Sequence, residues 1–304
     1  MSEKATEARH GKAEGLDRLP PGKILALLAK GQQAASQAVD AAIPEISKAA
    51  DRVAASLRAG RKLVYAGAGS AGLMAAADAM ELPGTYGISP DRIAILLAGG
   101  LPQVADIPGG PEDDAELGER DAAVIEAGDC VLCVSASGTT PYTLAVAKTA
   151  HRHGASVVAI ANNPGAPLFR DADVAILLAT PPEVIAGSTR MGAGTAQKIA
   201  FNMLSTLAAI KLGHVHDGHM VNLRADNEKL RIRAARMVAD IGAVPFDEAR
   251  IWVDAADGSV KVAVLLAAGV EHAEEARAML AENGGLLRTA LKEIQLKKSS
   301  MKRA

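Results

Sequence analysis

Residues 61–80 read RKLVYAGAGSAGLMAAADAM. Leu63, Val64 and Tyr65 form a short apolar run, glycines follow at 67, 69 and 72, and a stretch of small residues completes the segment. An apolar strand turning through glycine into a helix is the opening unit of a parallel sheet. Four more strand-like runs follow: RIAILLAGG (92–100), GDCVLCVSASG (128–138), ASVVAIANNPG (155–165) and ADVAILLA (172–179). The helical stretch PYTLAVAKTAHRHG (141–154) separates two of them. Continuous apolar strands alternating with helices predict an α/β fold, a doubly wound parallel sheet covered on both faces.

On the N-terminal side, residues 1–18 read as a disordered tract. Pro21 to Leu57 reads as helical in two pieces, with Pro44 at a kink or boundary and Val39, Ile43, Ile46, Ala50 and Val53 at helical spacing. On the C-terminal side, a long helix is expected from Gly192 to Leu212 and a charged one from Asp226 to Ile241. Short helical patterns then run from Phe246 to Ile294, broken at Gly258 and at the Gly284, Gly285 pair. The expected organisation is a sheet domain with N-terminal helices over 19–242 and a small helical domain over 243–304.

The 304 residues suffice for such a core without disulfides or metal. A net charge of −2 and only 2% aromatic residues supply neither the basic field nor the stacking rings that nucleic-acid binding needs. No apolar run is long enough to cross a bilayer, and the opening MSEKATEARHGKAEG lacks a secretory signal's apolar stretch. The expectation is a cytoplasmic protein without nucleic-acid or membrane partners. Cys130 and Cys133 form a C-x-x-C, but residues three apart in a strand face opposite ways, whereas redox pairs sit at a helix N-terminus. They read as buried strand cysteines.

Ligands of open parallel sheets bind beyond the carboxyl ends of the strands. The turn Gly67-Ala68-Gly69-Ser70-Ala71-Gly72 has G-x-G-x-x-G spacing, yet RIAILLAGG ends in glycines where a ribose-binding acid would stand. It therefore reads as a turn offering backbone donors to a phosphate or sugar oxygen, with a nicotinamide site as the weaker alternative. Ser135, Ser137, Gly138, Thr139 and Thr140 precede a helix, and their hydroxyls exceed what one helix cap uses, which favours a phosphate cradle over ordinary capping. Glu183, Ser188, Thr189, Arg190, Gln197 and Lys198 gather before and inside the long helix. They read either as a sugar pocket or as a solvated helix start. His214, His216 and His219 follow that helix as candidate metal ligands, with pocket-bordering or hydrated loop histidines as the plainer reading; no metal and no cofactor is expected.

The S-x-S-G-x-T turn resembles the phosphate-binding signature of the sugar isomerase (SIS) fold. The ordered set GAGSAGLM, DAMELPGTYG, SASGTTPY, NNPGAPL, PPEVIAGSTRMGAGTAQK and NEKLRIRAARMV is similar to the N-acetylmuramic acid 6-phosphate etherase family, from about Leu19 to the C-terminus. The resemblance implies removal of a D-lactyl ether from a phosphorylated amino sugar without a cofactor. It places the family's acid on Glu81 of Asp78-Ala79-Met80-Glu81-Leu82-Pro83, with Met80, Leu82 and Pro83 expected to desolvate it. A second carboxylate, the base, falls on Glu112 of Gly110-Pro111-Glu112-Asp113. Gly69, Ser70, the serine turn, Glu183, Ser188, Thr189, Arg190 and Lys198 would bind substrate. Leu73 and Thr139 stand where the family usually has arginine, which leaves a sugar-phosphate sensor without catalysis, an isomerase, or action on a related sugar phosphate as alternatives. A homodimer is also expected, since such proteins commonly build the pocket from two subunits.

Overall fold

A computed structural model describes residues 5–102, 109–223, 225 and 227–301. The chain divides into two compact units, Met1–Met80 with Pro90–Leu207 and Glu81–Ser89 with Ala208–Ala304. Each has its own apolar core.

In the first unit, α1 (Pro21–Gln37) and α2 (Ile43–Arg58) precede β1 (Leu63–Gly67), the start of α3 (Gly69–Tyr86) and β2 (Ile93–Leu97). Then come α4 (Ala115–Asp121), β3 (Cys130–Val134), α5 (Pro141–Arg152), β4 (Ser156–Ala161), β5 (Val174–Leu177) and α6 (Gly192–Lys211). The strands form one sheet, ordered β2-β1-β3-β4-β5, and every pair is parallel. Pro44 lies in the first turn of α2, where a missing N–H costs nothing, so it starts this helix as the sequence suggested. Ile46, Ala49, Ala50, Val53 and Ala54 form the buried face of α2, which packs on β1, β3 and β5. Helix α5 lies against β1, β3 and β4 through Tyr142, Val146 and Ala150. A fully buried valine or isoleucine contributes roughly 1.5–3 kcal/mol. Strands β1 and β3, buried at every residue, are therefore the main anchor of this unit.

Residues 5–18, expected to be disordered, include a short 3-10 turn at Leu16–Arg18, and Thr6 is buried. Residues 1–4 lie outside the described residues. Thr6 is ordered because its polar groups meet Asn163 far along the chain.

The second unit holds α7 (Glu228–Gly242), α8 (Phe246–Ala255), α9 (Val260–Ala267), α10 (Ala273–Glu282) and α11 (Leu287–Met301). Asn227 caps α7 by accepting the Leu230 N–H at 3.0 Å; Asp226, the expected start of this helix, lies outside the described residues. The sequence reading grouped α7 with the sheet, whereas the compact unit groups it with the C-terminal helices. The reason is its apolar face: Ala234, Ala235, Met237 and Val238 share a core with Val253 of α8 and Val262 to Leu266 of α9.

Candidate functional site

Strand β1 lies between β2 and β3, so the loops leaving β1 and β3 diverge and open a crevice at their carboxyl ends. Gly67 is in register with Val134, so the glycine turn after β1 and the serine turn after β3 start side by side. Gly67 and Gly72 allow the turn to close: a Cβ on Gly67 would stand 2.9 Å from the Val134 side chain, and one on Gly72 would collide with Leu97. Gly69 has φ +52, and a Cβ there would lie 2.5 Å from Glu112 Oε1. The missing side chain of Gly69 thus makes room for the Glu112 carboxylate, carried on the 3-10 turn Gly110–Asp113. Ser70 is half-buried next to it. Glu112 is half-buried too, and burial, helped by the Asp113 charge, raises its pKa above the ordinary carboxylate value.

In the serine turn the hydroxyls bond to one another. Ser135 Oγ meets Thr140 Oγ1 at 2.8 Å and Ser137 Oγ at 3.3 Å, and the Thr139 hydroxyl donates to Ser137 Oγ at 2.9 Å. The amides of Gly138 and Thr139 donate to Ser135 Oγ (3.0 Å) and Ser137 Oγ (3.2 Å). Thr140 occupies the N-cap of α5, yet its side chain does not cap the helix. Ordinary capping therefore does not account for these hydroxyls. Gly138 has φ +68, and a Cβ on it would run into Ala166. Backbone donors, clustered hydroxyls and the start of a twelve-residue helix suit a phosphate monoester.

The third loop divides into structural and outward-facing residues. Glu183, predicted to line a pocket, is buried and accepts the amides of Gly192 and Ala193, each at 2.9 Å. It thereby caps α6, because those first-turn N–H groups have no partner inside the helix. Gln197 is also turned inward, donating to Asn162 Oδ1 at 2.9 Å, while Asn162 donates to Leu178 O and Thr180 Oγ1. Ser188 and Thr189 are half-buried, and Arg190 and Lys198 are exposed.

Glu81 lies on α3 in the second compact unit and is exposed in the single chain. Leu82 is buried, but Met80 is 58% exposed, so the desolvating enclosure expected of these neighbours does not form within one chain. Three residues before Glu81, the sequence reading missed a buried junction. Asp78 Oδ2 accepts the Tyr65 hydroxyl at 2.7 Å, and Oδ1 accepts Asn202 Nδ2 at 2.7 Å and Ser205 Oγ at 3.1 Å, tying β1, α3 and α6 together. The signal was present: Asp78 is the only charged residue from Gly67 to Met80.

Cys130 and Cys133 are buried, as expected. Burial pushes the Cys130 thiol up to about 12 and raises Cys133 further. The three histidines turn to different partners. His219 Nε2 lies 2.7 Å from Asp240, His216 Nε2 lies 3.5 Å from Asp217, and His214 faces the Tyr86 carbonyl, with its pKa lowered to about 4 mainly by burial. Among the described residues no group of three or more His, Cys, Asp or Glu side chains is arranged to hold a metal ion.

A β1/β3 crevice flanked by a glycine turn and a hydroxyl-lined turn defines a sugar isomerase type of protein, and residues 101–208 match the SIS domain model. A solved Bacteroides fragilis protein of the phosphosugar isomerase type shares this fold: TM-score 0.50, 24% identity, covering 65% of this chain and 93% of that one. Over nearly the whole length, the chain is 41% identical to N-acetylmuramic acid 6-phosphate etherase of Deinococcus radiodurans, covering 95% of each protein. It is 44% identical to that of Symbiobacterium thermophilum (87% of this chain, 89% of that protein) and 40% identical to that of Rubrobacter xylanophilus (96% and 97%). The chain belongs to the N-acetylmuramic acid 6-phosphate etherase family.

Proposed function

We propose that this protein cleaves the D-lactyl ether of N-acetylmuramic acid 6-phosphate, giving N-acetylglucosamine 6-phosphate and D-lactate in the recycling of cell-wall amino sugars. The observation that carries the reading is a raised-pKa carboxylate, Glu112, seated on Gly69 beside the Ser135–Thr140 turn, in a chain with near-complete etherase homology. The hydroxyls of Ser135, Ser137, Thr139 and Thr140, arrayed around Gly138 at the start of α5, hold the phosphate, with Gly69 and Ser70 on the opposite side of the crevice. Ser188, Thr189, Arg190 and Lys198 face the sugar, and Glu183 keeps their loop in place.

In the open-chain sugar the hydrogen on carbon 2 is acidified by the neighbouring aldehyde. Glu112 removes it, the carbon 3–oxygen bond breaks, and Glu81 protonates the departing lactate oxygen. Water, deprotonated by a carboxylate, then adds to carbon 3 of the conjugated alkene, and carbon 2 regains a proton. The sum is hydrolysis of the ether by a carbon–oxygen lyase route, with no change of oxidation state and so no call for a redox cofactor. A raised pKa suits Glu112, because a base closer to neutrality abstracts a carbon-bound proton more readily.

We further propose a cytoplasmic homodimer. Leu25 on α1 is 65% exposed and Met80 on α3 is 58% exposed, apolar surface that a second copy would cover. A monomeric mass in solution would contradict the dimer. The deciding experiment for the activity is incubation with N-acetylmuramic acid 6-phosphate in H₂¹⁸O. D-lactate should appear, and the label should enter the carbon 3 hydroxyl of the sugar; label in lactate would rule out the elimination route. Leu73 and Thr139, where the resemblance to the family leads one to expect arginine, favour a second reading, a sugar-phosphate sensor. Tight binding without lactate release would select it.

A further inference from the structure

The N-terminal tract ahead of α1 is fastened to the crevice. The Thr6 N–H donates to Asn163 Oδ1 at 3.3 Å, and Asn163 Nδ2 donates both to Thr6 Oγ1 (2.9 Å) and to the Ser137 carbonyl (3.3 Å). An asparagine side chain offers two N–H donors and one oxygen, so all three are engaged here. Thr6 is 4% exposed and Asn163 3%, so each bond is made out of water, where an unmade partner is costly. The next residue reaches the other loop: a Cβ on Gly187 would lie 3.9 Å from Glu7 Oε2, just before Ser188, Thr189 and Arg190. Residues 6 and 7 therefore span from the serine turn after β3 to the loop before α6. Asn163 itself stands two residues past the end of β4, at the level of the crevice.

We propose that Thr6 and Asn163 are positioning residues of the sugar-phosphate site, and that the N-terminal tract is a strap holding the serine turn in its anion-binding shape. The Ser137 carbonyl belongs to the same residue whose Oγ receives the Thr139 amide and hydroxyl, so fixing that carbonyl fixes where these donors point. Thr6 acts through Asn163 on the Ser137 carbonyl, so its effect reaches the substrate through the turn. The identity of the sugar rests on the etherase reading, but the strap predicts tighter binding of any phosphate monoester.

The test uses the full-length protein, with inorganic phosphate as a competitive probe alongside the sugar phosphate. Thr6→Val keeps the shape and removes the hydroxyl. One net hydrogen bond corresponds to about a three- to tenfold effect on affinity. KM and the phosphate inhibition constant should both rise by about that factor while kcat stays within about twofold. Thr6→Ser, which restores the hydroxyl, should return both towards wild type. Unchanged constants in a folded Thr6→Val protein, or failure of Thr6→Ser to rescue them, would overturn the proposal. Should Thr6→Val not fold, the wild-type chain still decides: phosphate should slow tryptic cleavage after Arg9 and Lys12 severalfold, and equal rates with and without phosphate would refute the strap. Absence of D-lactate from the wild type counts against the etherase reading alone, since phosphate protection is measured without turnover.

Discussion

Replacing Gly69 by alanine puts a methyl group where the Glu112 carboxylate sits. At φ +52 an L-residue carries about 1–2 kcal/mol of backbone strain. For a domain of this size such a loss lowers the unfolding midpoint by roughly 2–8 °C, so the variant remains folded at room temperature. The larger effect is local. The new Cβ would start 2.5 Å from Glu112 Oε1, and ordinary van der Waals separation begins at 3.4 Å, so the carboxylate has to retreat by roughly 1 Å. A misplacement of about that size costs a reacting group on the order of 10²-fold in rate. In a D-lactate release assay, kcat/KM should therefore fall about a hundredfold, while circular dichroism and the sedimentation profile stay those of the parent. The same change made on a Glu112→Gln background should cost little more activity, because both substitutions act on one carboxylate. Gly69→Ala retaining kcat/KM within threefold of wild type would show that Glu112 does not work from this position.

Asp113→Asn removes the like charge that, after burial, holds the Glu112 pKa up; the acidic limb of the kcat/KM profile should move to lower pH, and an upward or absent shift would contradict Glu112 as the titrating base. Glu183→Ala strips two first-turn amides of α6 of their buried acceptor and should destabilise the protein by about 2–4 kcal/mol in urea titrations; a loss below 0.5 kcal/mol, on the order of a neutral surface change, would deny the capping role. Cys130 and Cys133 should react with a thiol reagent only on the timescale of unfolding, since burial keeps both protonated; rapid labelling of the native protein would mean that β3 is more accessible than its burial indicates.

The strands and their succession along the chain were legible because their signals are local, whereas their order in the sheet came only with the fold. Four-to-six-residue apolar runs separated by glycine turns fix the sheet, and the Pro44 break and the Gly192 start fall where the pattern puts them. The two candidate turns were legible for the same reason, since G-x-G-x-x-G and S-x-S-G-x-T can be read within six residues. What escaped was long-range pairing. Glu183 resembled a pocket acid because its partners, the amides of Gly192 and Ala193, are backbone groups that no side-chain pattern announces. Thr6 lay in a polar tract with the composition of a disordered tail, and its distant partner Asn163 orders it. The placement of α7 followed its buried alanines, which look the same in sequence whichever core they enter.

The bond between Thr6 and Asn163 joins residues 157 positions apart. On a ribosome adding 5–20 residues per second, Thr6 waits roughly 8–30 s before Asn163 has even been polymerised. This early segment is thus among the last to find its place, since a nascent chain that stops before Asn163 lacks the bonds that hold Thr6. A bulky group attached just ahead of Thr6 would be carried through that whole interval and then to the turn that follows β4.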